Sequence, residues 1–170
     1  MRFCAKAGES FSKSTVDIGK EESHVKTIDH YSFHCGVIDC FNEMVSAGVK
    51  RIAFSEPMNS AEECRSYRPF VEKTCHKYGT RFYFEPSSLV TDLFPKELNA
   101  GRAHYIFYRE EDALREYLAV RAEKEELAAA GAYRGEQRRA LAYRFGRLLS
   151  YTDEAIARRL AENKSREPDT

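Results

Sequence analysis

With 170 residues, 42% of them hydrophobic, the chain is long enough for one domain with a core and short for two. Its 27 Lys and Arg residues balance 27 Asp and Glu residues; a polyanion-binding protein usually carries a basic surplus, so nucleic-acid binding is disfavoured. No run of about eighteen consecutive apolar residues occurs and the N-terminus lacks the apolar stretch of a signal peptide, which predicts a soluble, cytoplasmic protein with no membrane partner.

The cysteines are odd in number and widely spaced, which favours reduced thiols over a disulfide framework. No two of them have the two-residue spacing that is typical of zinc and redox sites. We therefore expect free thiols, most of them buried as small hydrophobic side chains. These residues are Cys4, Cys35, Cys40, Cys64 and Cys75.

The N-terminal part of the chain predicts a helix and a strand after a poorly defined segment. Residues 1–28 are rich in Ser, Lys and Glu and show no helical or strand periodicity, although "RFCA" resembles a short strand. From Ser32 apolar residues recur at three- and four-residue steps, so we expect a helix to about Ser46, with Gly48 at its end. The compact apolar and β-branched run 49–55 predicts a first strand.

A second helix and two further strands are predicted next. The motif "SAEE" that begins at Ser60 has the form of a capping box, so we expect a helix over 61–79, kinked at Pro69. The apolar stretches 81–85 and 102–108 predict the second and third strands. The long connection between them contains two prolines and a glycine, and it leaves the direction of the third strand open.

The last third of the chain predicts helices alone. One helix is expected over 110–129, a second over 136–151, and a third that opens at Thr152. The economical arrangement is an α/β fold: a small three-stranded, mostly parallel sheet flanked by helices, with a helical C-terminal extension.

The predicted organisation is a single domain in three parts. Residues 1–28 form the poorly defined N-terminal segment, 29–109 form the α/β core, and 110–170 form a helical extension packed on that core. The composition offers no linker-like or repeated segment that would separate a second domain.

Chain topology predicts where polar residues gather. A helix that enters a strand through a short turn runs antiparallel to it, so its N-terminus lies beside the strand's carboxyl end, where the next helix also starts. If the first two strands are adjacent and parallel, as strand–helix–strand units usually are, the carboxyl end of the second joins the same edge. We expect a ligand site at this edge, formed by His30, His34, Ser55, Glu56, Asn59, Ser60, Glu85, Ser87, Ser88 and Asp92.

Within this set His34 and Glu56 are the candidates for catalysis. An imidazole exchanges protons near neutral pH, Glu56 would be its charge partner, and the helix start at Ser60 would anchor an anion. The competing interpretation of His34 is a buried, hydrogen-bonded core residue. Asp39 and Glu43 fall on the outward face of the same helix and are interpreted as solvated surface. The expected partner is a small polar ligand; the reaction, the cofactor and whether the protein is an enzyme stay open.

Two alternatives rest on other features. His30 and His34 lie one helical turn apart and can share a metal ion, although Tyr31 stands where metalloproteases with the HExxH motif need a glutamate. The basic stretch 134–147, with Tyr133 before it and Tyr143 within it, suits a non-enzymatic module that binds RNA or a protein partner through the C-terminal helices. The structural interpretation of that stretch is a buried stripe whose flanking arginines pair with the acidic runs of the preceding helix.

Overall fold

The computed structural model describes residues 28–169, so the predicted "RFCA" strand and Cys4 lie outside the described part of the chain. No helix in the described part is long and apolar enough to cross a membrane. A short 3₁₀ turn, Lys96–Leu98, interrupts the connection before the last strand. The regular elements are α1 (His30–Ser46), β1 (Ile52–Phe54), α2 (Ala61–Ser66), α3 (Arg68–Tyr78), β2 (Arg81–Glu85), β3 (His104–Tyr108), α4 (Glu111–Ala129), α5 (Gly135–Leu148) and α6 (Asp153–Glu162).

Helix α1 begins two residues earlier than its periodicity predicts. The Asp29 carboxylate caps it by accepting a hydrogen bond from the Ser32 amide at 3.2 Å, and its bonds with Ser32 lower the pKa of Asp29. This cap brings His30 into the first turn. The helix presents a buried stripe toward the sheet that includes His34 and Ile38.

The helix predicted over 61–79 is divided into α2 and α3. The division falls at Tyr67, two residues before Pro69, because a proline lacks an amide hydrogen and its ring obstructs the preceding turn. Helix α3 then ends at Gly79, whose φ of 65° is the left-handed conformation that glycine adopts without strain.

The predicted strand order is wrong. The first two strands are not adjacent and the sheet is not mostly parallel: the order is β1-β3-β2, and β3 is antiparallel to both neighbours. Phe54 lies opposite Ile106 in one pairing, and Glu85 lies opposite His104 in the other.

Burial explains why β3 takes the central position. All five of its residues are buried, whereas β2 runs from the exposed Arg81 through three half-buried aromatic residues. A central strand must be covered on both faces, and an edge strand need not be. Because β1 and β2 flank the same antiparallel partner, they run in the same direction, and their carboxyl ends share an edge with the start of β3.

Helices cover both faces of the sheet and form two hydrophobic clusters. On one face, α1, α2 and α3 pack against Tyr105 and Phe107 of β3. On the other face, α4, α5 and α6 pack against Ile106 and Tyr108. The side chains of β3 therefore alternate between two helical layers, as the period of a strand requires.

The four cysteines within residues 28–169 are free, and three of them are buried. Burial raises the pKa of Cys64 to about 12, so this thiol stays protonated and packs as a small hydrophobe. The other three are Cys35, Cys40 and Cys75.

Candidate functional site

The turn after β1 is held against the start of β3. Beyond the strand, Met58 and Ala103 exchange two backbone hydrogen bonds of 2.8 and 3.0 Å. Ser55 is buried, and its hydroxyl accepts a hydrogen bond from the Tyr105 amide at 3.0 Å. Ser55, a predicted ligand residue, therefore serves to fix the turn, and the exposed Glu56 follows it.

A cavity of about 600 Å³ opens where this turn meets the N-terminus of α1, and we call it the edge cavity. Four of the predicted site residues come together in it, two from α1 and two from the turn, although the predicted strand order was wrong. The cavity is lined by His30, Phe33, His34, Glu56, Pro57, Met58, Asn59, Glu63 and Arg102.

His34 forms part of the wall of the edge cavity. Its side chain packs edge-on against Tyr67, with ring centroids 5.2 Å apart, and against Phe33 at 5.7 Å. The residue is only 9% exposed, and its buried Nδ1 atom has no hydrogen-bond partner among residues 28–169. Buried polar atoms without a partner are rare in folded proteins, so this atom calls for an explanation.

The floor of the edge cavity beside α2 is made rigid by helix capping. The Ser60 hydroxyl accepts a hydrogen bond from the Glu63 amide at 3.0 Å, and the Glu63 carboxylate accepts one from the Asn59 amide at 3.0 Å. Ser60, the predicted anion anchor, is thus a capping residue and does not line the cavity. The Asn59 side chain remains available to a ligand.

Two opposite charges in the edge cavity have no partner in the described part of the chain. Within residues 28–169, the carboxylate of Glu56 and the guanidinium of Arg102 each form no hydrogen bond and no ion pair. Both residues line the cavity, yet they do not pair with each other. Arg102 was missed at the sequence level because it begins an apolar stretch and was interpreted as a residue of the third strand.

A smaller cavity of about 230 Å³ adjoins the edge cavity, and we call it the apolar cavity. It shares the walls Glu56, Pro57 and Arg102 with the edge cavity. Its remaining lining is mostly apolar: Phe54, Ser55, Phe94, Leu98, Asn99 and Phe145. A polar and an apolar compartment therefore meet at the unpaired charges.

Glu85, another predicted ligand residue, lies elsewhere in a buried cluster of paired charges. Its carboxylate is fully buried, accepts a hydrogen bond from the Tyr117 hydroxyl at 2.8 Å and forms an ion pair with Arg121. Burial, reinforced by the neighbouring carboxylate, raises the pKa of Tyr117. Ser87 is exposed beside this cluster, and its carbonyl oxygen accepts a hydrogen bond from Arg121 at 3.0 Å.

Ser88 bonds to a histidine that the sequence did not single out. The Ser88 hydroxyl lies 2.6 Å from Nδ1 of His104, a residue hidden within the apolar pattern of the third strand. Burial, with a smaller contribution from the Arg121 charge, lowers the pKa of His104 to about 3. The imidazole is therefore neutral near pH 7 and stacks on Phe54 with ring centroids 4.7 Å apart.

Asp92 also lies apart from the edge cavity. Its carboxylate accepts hydrogen bonds from Nε and Nη2 of Arg138 at 2.8 and 2.5 Å, and both residues are buried. Arg138 in addition binds the carbonyl of Glu167 and the carboxylate of Asp169. The pair of Asp92 and Arg138 therefore joins the loop after β2 to α5, and Arg138 binds the C-terminal segment as well.

The remaining arginines of the basic stretch are also largely occupied. Arg144 pairs with Glu123 of α4 at 2.6 Å, and Arg147 pairs with Asp153 at 2.7 Å. Arg139 lies over the ring of Tyr143. These contacts reduce the free positive charge that an RNA-binding surface would present.

Comparison with known proteins yields no match. No protein-family model, no curated protein and no solved structure matches the chain. Within residues 28–169 no group of three or more His, Cys, Asp or Glu side chains is placed to hold a metal ion, so His30 and His34 have no third ligand there. The geometry of the edge cavity is the remaining guide to function.

Proposed function

We propose that the protein binds a small polar molecule in the edge cavity and that His34 transfers a proton to or from it. The observation that carries this proposal is that His34, whose buried Nδ1 atom has no partner among residues 28–169, lines a cavity together with Glu56 and Arg102, two charges that are unpaired in the same part of the chain. Two other buried polar atoms lack partners in residues 28–169, on His104 and Tyr133, but those residues line neither the edge cavity nor the apolar cavity.

Four polar residues of the cavity have a role in this proposal. A ligand that reaches His34 completes the hydrogen bonding of the imidazole and exchanges a proton with it. Glu56 binds a cationic group of the ligand and Arg102 an anionic group. The side-chain amide of Asn59 supplies a hydrogen-bond donor and an acceptor. The cavity volume of about 600 Å³ lies within the range of small-molecule sites.

A ligand screen with matched variants tests the proposal. We expect polar metabolites that bind the wild-type protein to raise its melting temperature, and His34→Gln and Glu56→Gln to abolish that rise while staying folded. Because the two groups act on one ligand, the double variant should lose little more than either single variant.

Glu43→Gln is the matched control, since Glu43 is exposed on the same helix and lies outside the cavity. Asp39 is less suitable, because it accepts hydrogen bonds from Lys77 at 2.9 Å and Tyr78 at 3.0 Å. If the ligand no longer raised the melting temperature of Glu43→Gln but still raised that of His34→Gln and Glu56→Gln, the proposal would be contradicted.

A further inference from the structure

The two cavities meet at a pair of opposite charges. Glu56 and Arg102 line both the edge cavity and the apolar cavity, and neither has an ion-pair partner within residues 28–169. Arg102 is half-buried, and no carboxylate among residues 28–169 compensates the hydration that this burial removes from its side chain. A ligand with both an anionic and a cationic group satisfies this arrangement better than one with a single charge, which would leave one protein charge unpaired.

The apolar cavity defines the rest of the ligand. The rings of Phe54, Phe94 and Phe145, together with Leu98, surround about 230 Å³ beside the charged pair. This space suits a branched or aromatic side chain, and burying such a group stabilises a complex. An α-amino acid with an apolar side chain carries an ammonium, a carboxylate and an apolar group on one carbon atom. These three groups match Glu56, Arg102 and the apolar cavity, which adjoin one another.

We propose that the joined cavities bind an apolar or aromatic α-amino acid, with Arg102 on its carboxylate, Glu56 on its ammonium group and its side chain in the apolar cavity. This inference rests on the proposed function, because it names the ligand class of the same site. It also explains why the two charges lie at the shared wall: each must reach a group attached to the same carbon atom.

Binding of chemically matched probes tests the ligand class. In titration calorimetry with the full chain, L-phenylalanine should bind at least about tenfold more tightly than glycine, which has no side chain to bury. N-acetyl-L-phenylalanine lacks the ammonium charge and L-phenylalaninamide lacks the carboxylate, so both should also bind about tenfold more weakly than phenylalanine. Equal affinity for all four probes would overturn the inference.

Charge-removing variants assign each end of the ligand. Arg102→Met should weaken the binding of phenylalanine but leave the already weak binding of phenylalaninamide unchanged. Glu56→Gln should weaken the binding of phenylalanine but leave that of N-acetylphenylalanine unchanged. Arg158→Met and Glu43→Gln are the matched controls, because both residues are exposed and lie outside the two cavities. If a variant weakened the binding of phenylalanine and of the derivative that lacks the matching charge equally, the assignment of the two charges would be overturned.

A third variant tests the apolar cavity. Leu98 is 50% exposed, so the Leu98→Ser variant should fold. It should bind phenylalanine more weakly and glycine with unchanged affinity. Leu118→Ser, at an exposed leucine of α4, should leave both affinities unchanged.

The screen described above separates the two proposals. If another polar molecule stabilises the protein through His34 and Glu56 while phenylalanine, leucine and glycine do not bind, the proposed ligand class is wrong and the proposed binding site stands. If no molecule acts through His34 and Glu56 and the amino acids also fail, both proposals fall.

Discussion

The sheet edge contains two groups of charges that differ in one respect. In the cluster of Glu85 and Arg121, the carboxylate is fully buried and is satisfied by both an ion pair and the Tyr117 hydroxyl. In the edge cavity, Glu56 is exposed, Arg102 is half-buried, and within residues 28–169 both are unpaired. Glu85 and Glu56 both lie near the carboxyl end of a strand, so their position in the chain does not distinguish the two carboxylates.

The difference teaches that burial decides which polar residues are available to a ligand. A fully buried carboxylate is strongly destabilising unless it is paired, so the fold supplies Glu85 with partners. A charge beside an open cavity keeps part of its hydration and can stay unpaired until a ligand arrives. Predicted site residues are therefore best sorted by whether their polar atoms are already satisfied.

The largest expected effect is the loss of a partner from the buried cluster. Arg121→Met leaves the Glu85 carboxylate buried with only the Tyr117 hydroxyl and the Ser87 amide, and it should lower the free energy of unfolding by about 3 kcal/mol. Urea denaturation measures this change.

The control for Arg121→Met is a substitution of Glu125, the second and exposed ion-pair partner of Arg121. Arg121 also pairs with Glu125, whose side chain is 65% exposed, and Glu125→Gln should change the free energy of unfolding by less than about 0.5 kcal/mol. If the two variants were equally mild, the buried cluster would not differ energetically from an exposed pair, and the comparison would fail.

An intermediate effect is expected from the pH dependence of stability. Burial lowers the pKa of His104 from 6.5 to about 3, so the unfolded chain binds the proton first as the pH falls. The contribution of His104 is therefore complete above about pH 6.5 and declines toward pH 3, with a loss of about 1.5 kcal/mol between about pH 6.5 and 5.

The slope of the unfolding free energy against pH measures this contribution. His104→Gln should remove that part of the slope, and His76→Gln, at an exposed histidine of α3, should leave it in place. An unchanged slope in His104→Gln would show that His104 is not the group responsible.

The smallest effect on stability is expected in the edge cavity. Glu56→Gln and Arg102→Met remove charges that have no partner among residues 28–169, so each should change the free energy of unfolding by less than about 0.5 kcal/mol while it weakens ligand binding. Thermal unfolding without added ligand provides the measurement. A loss as large as that of Arg121→Met would mean that these charges support the fold.

Part of the candidate site could be predicted from the sequence. His30 and His34 lie at the start of a helix whose periodicity is evident, and Glu56 and Asn59 lie in the turn that follows a recognisable strand. These four residues meet because a helix and the strand that follows it through a short turn must run in opposite directions. Arg102 could not be predicted, because its position depends on how a long loop returns to the sheet.

The assignment of Glu85, Ser88 and Asp92 to the same site followed from placing residues by sheet edge alone. They do lie near the ends of the strands, but their polar atoms bond to Tyr117, His104 and Arg138. Tyr117 and Arg138 belong to helices more than thirty positions along the chain. Local pattern carries no information about such partners, because the contact exists only after the C-terminal helices have packed on the sheet.

The sequence by itself determined where the chain is helical, the cap at Ser60 and a distortion of the helix at Pro69, because periodicity, capping and the missing proline amide act within a few residues. Only the tertiary structure decided that β3 lies between β1 and β2 and runs antiparallel to both. Strand order depends on which strand is covered on both faces, and five buried residues place His104–Tyr108 at the centre. The same packing decided which charges became paired in the interior and which were left facing a cavity.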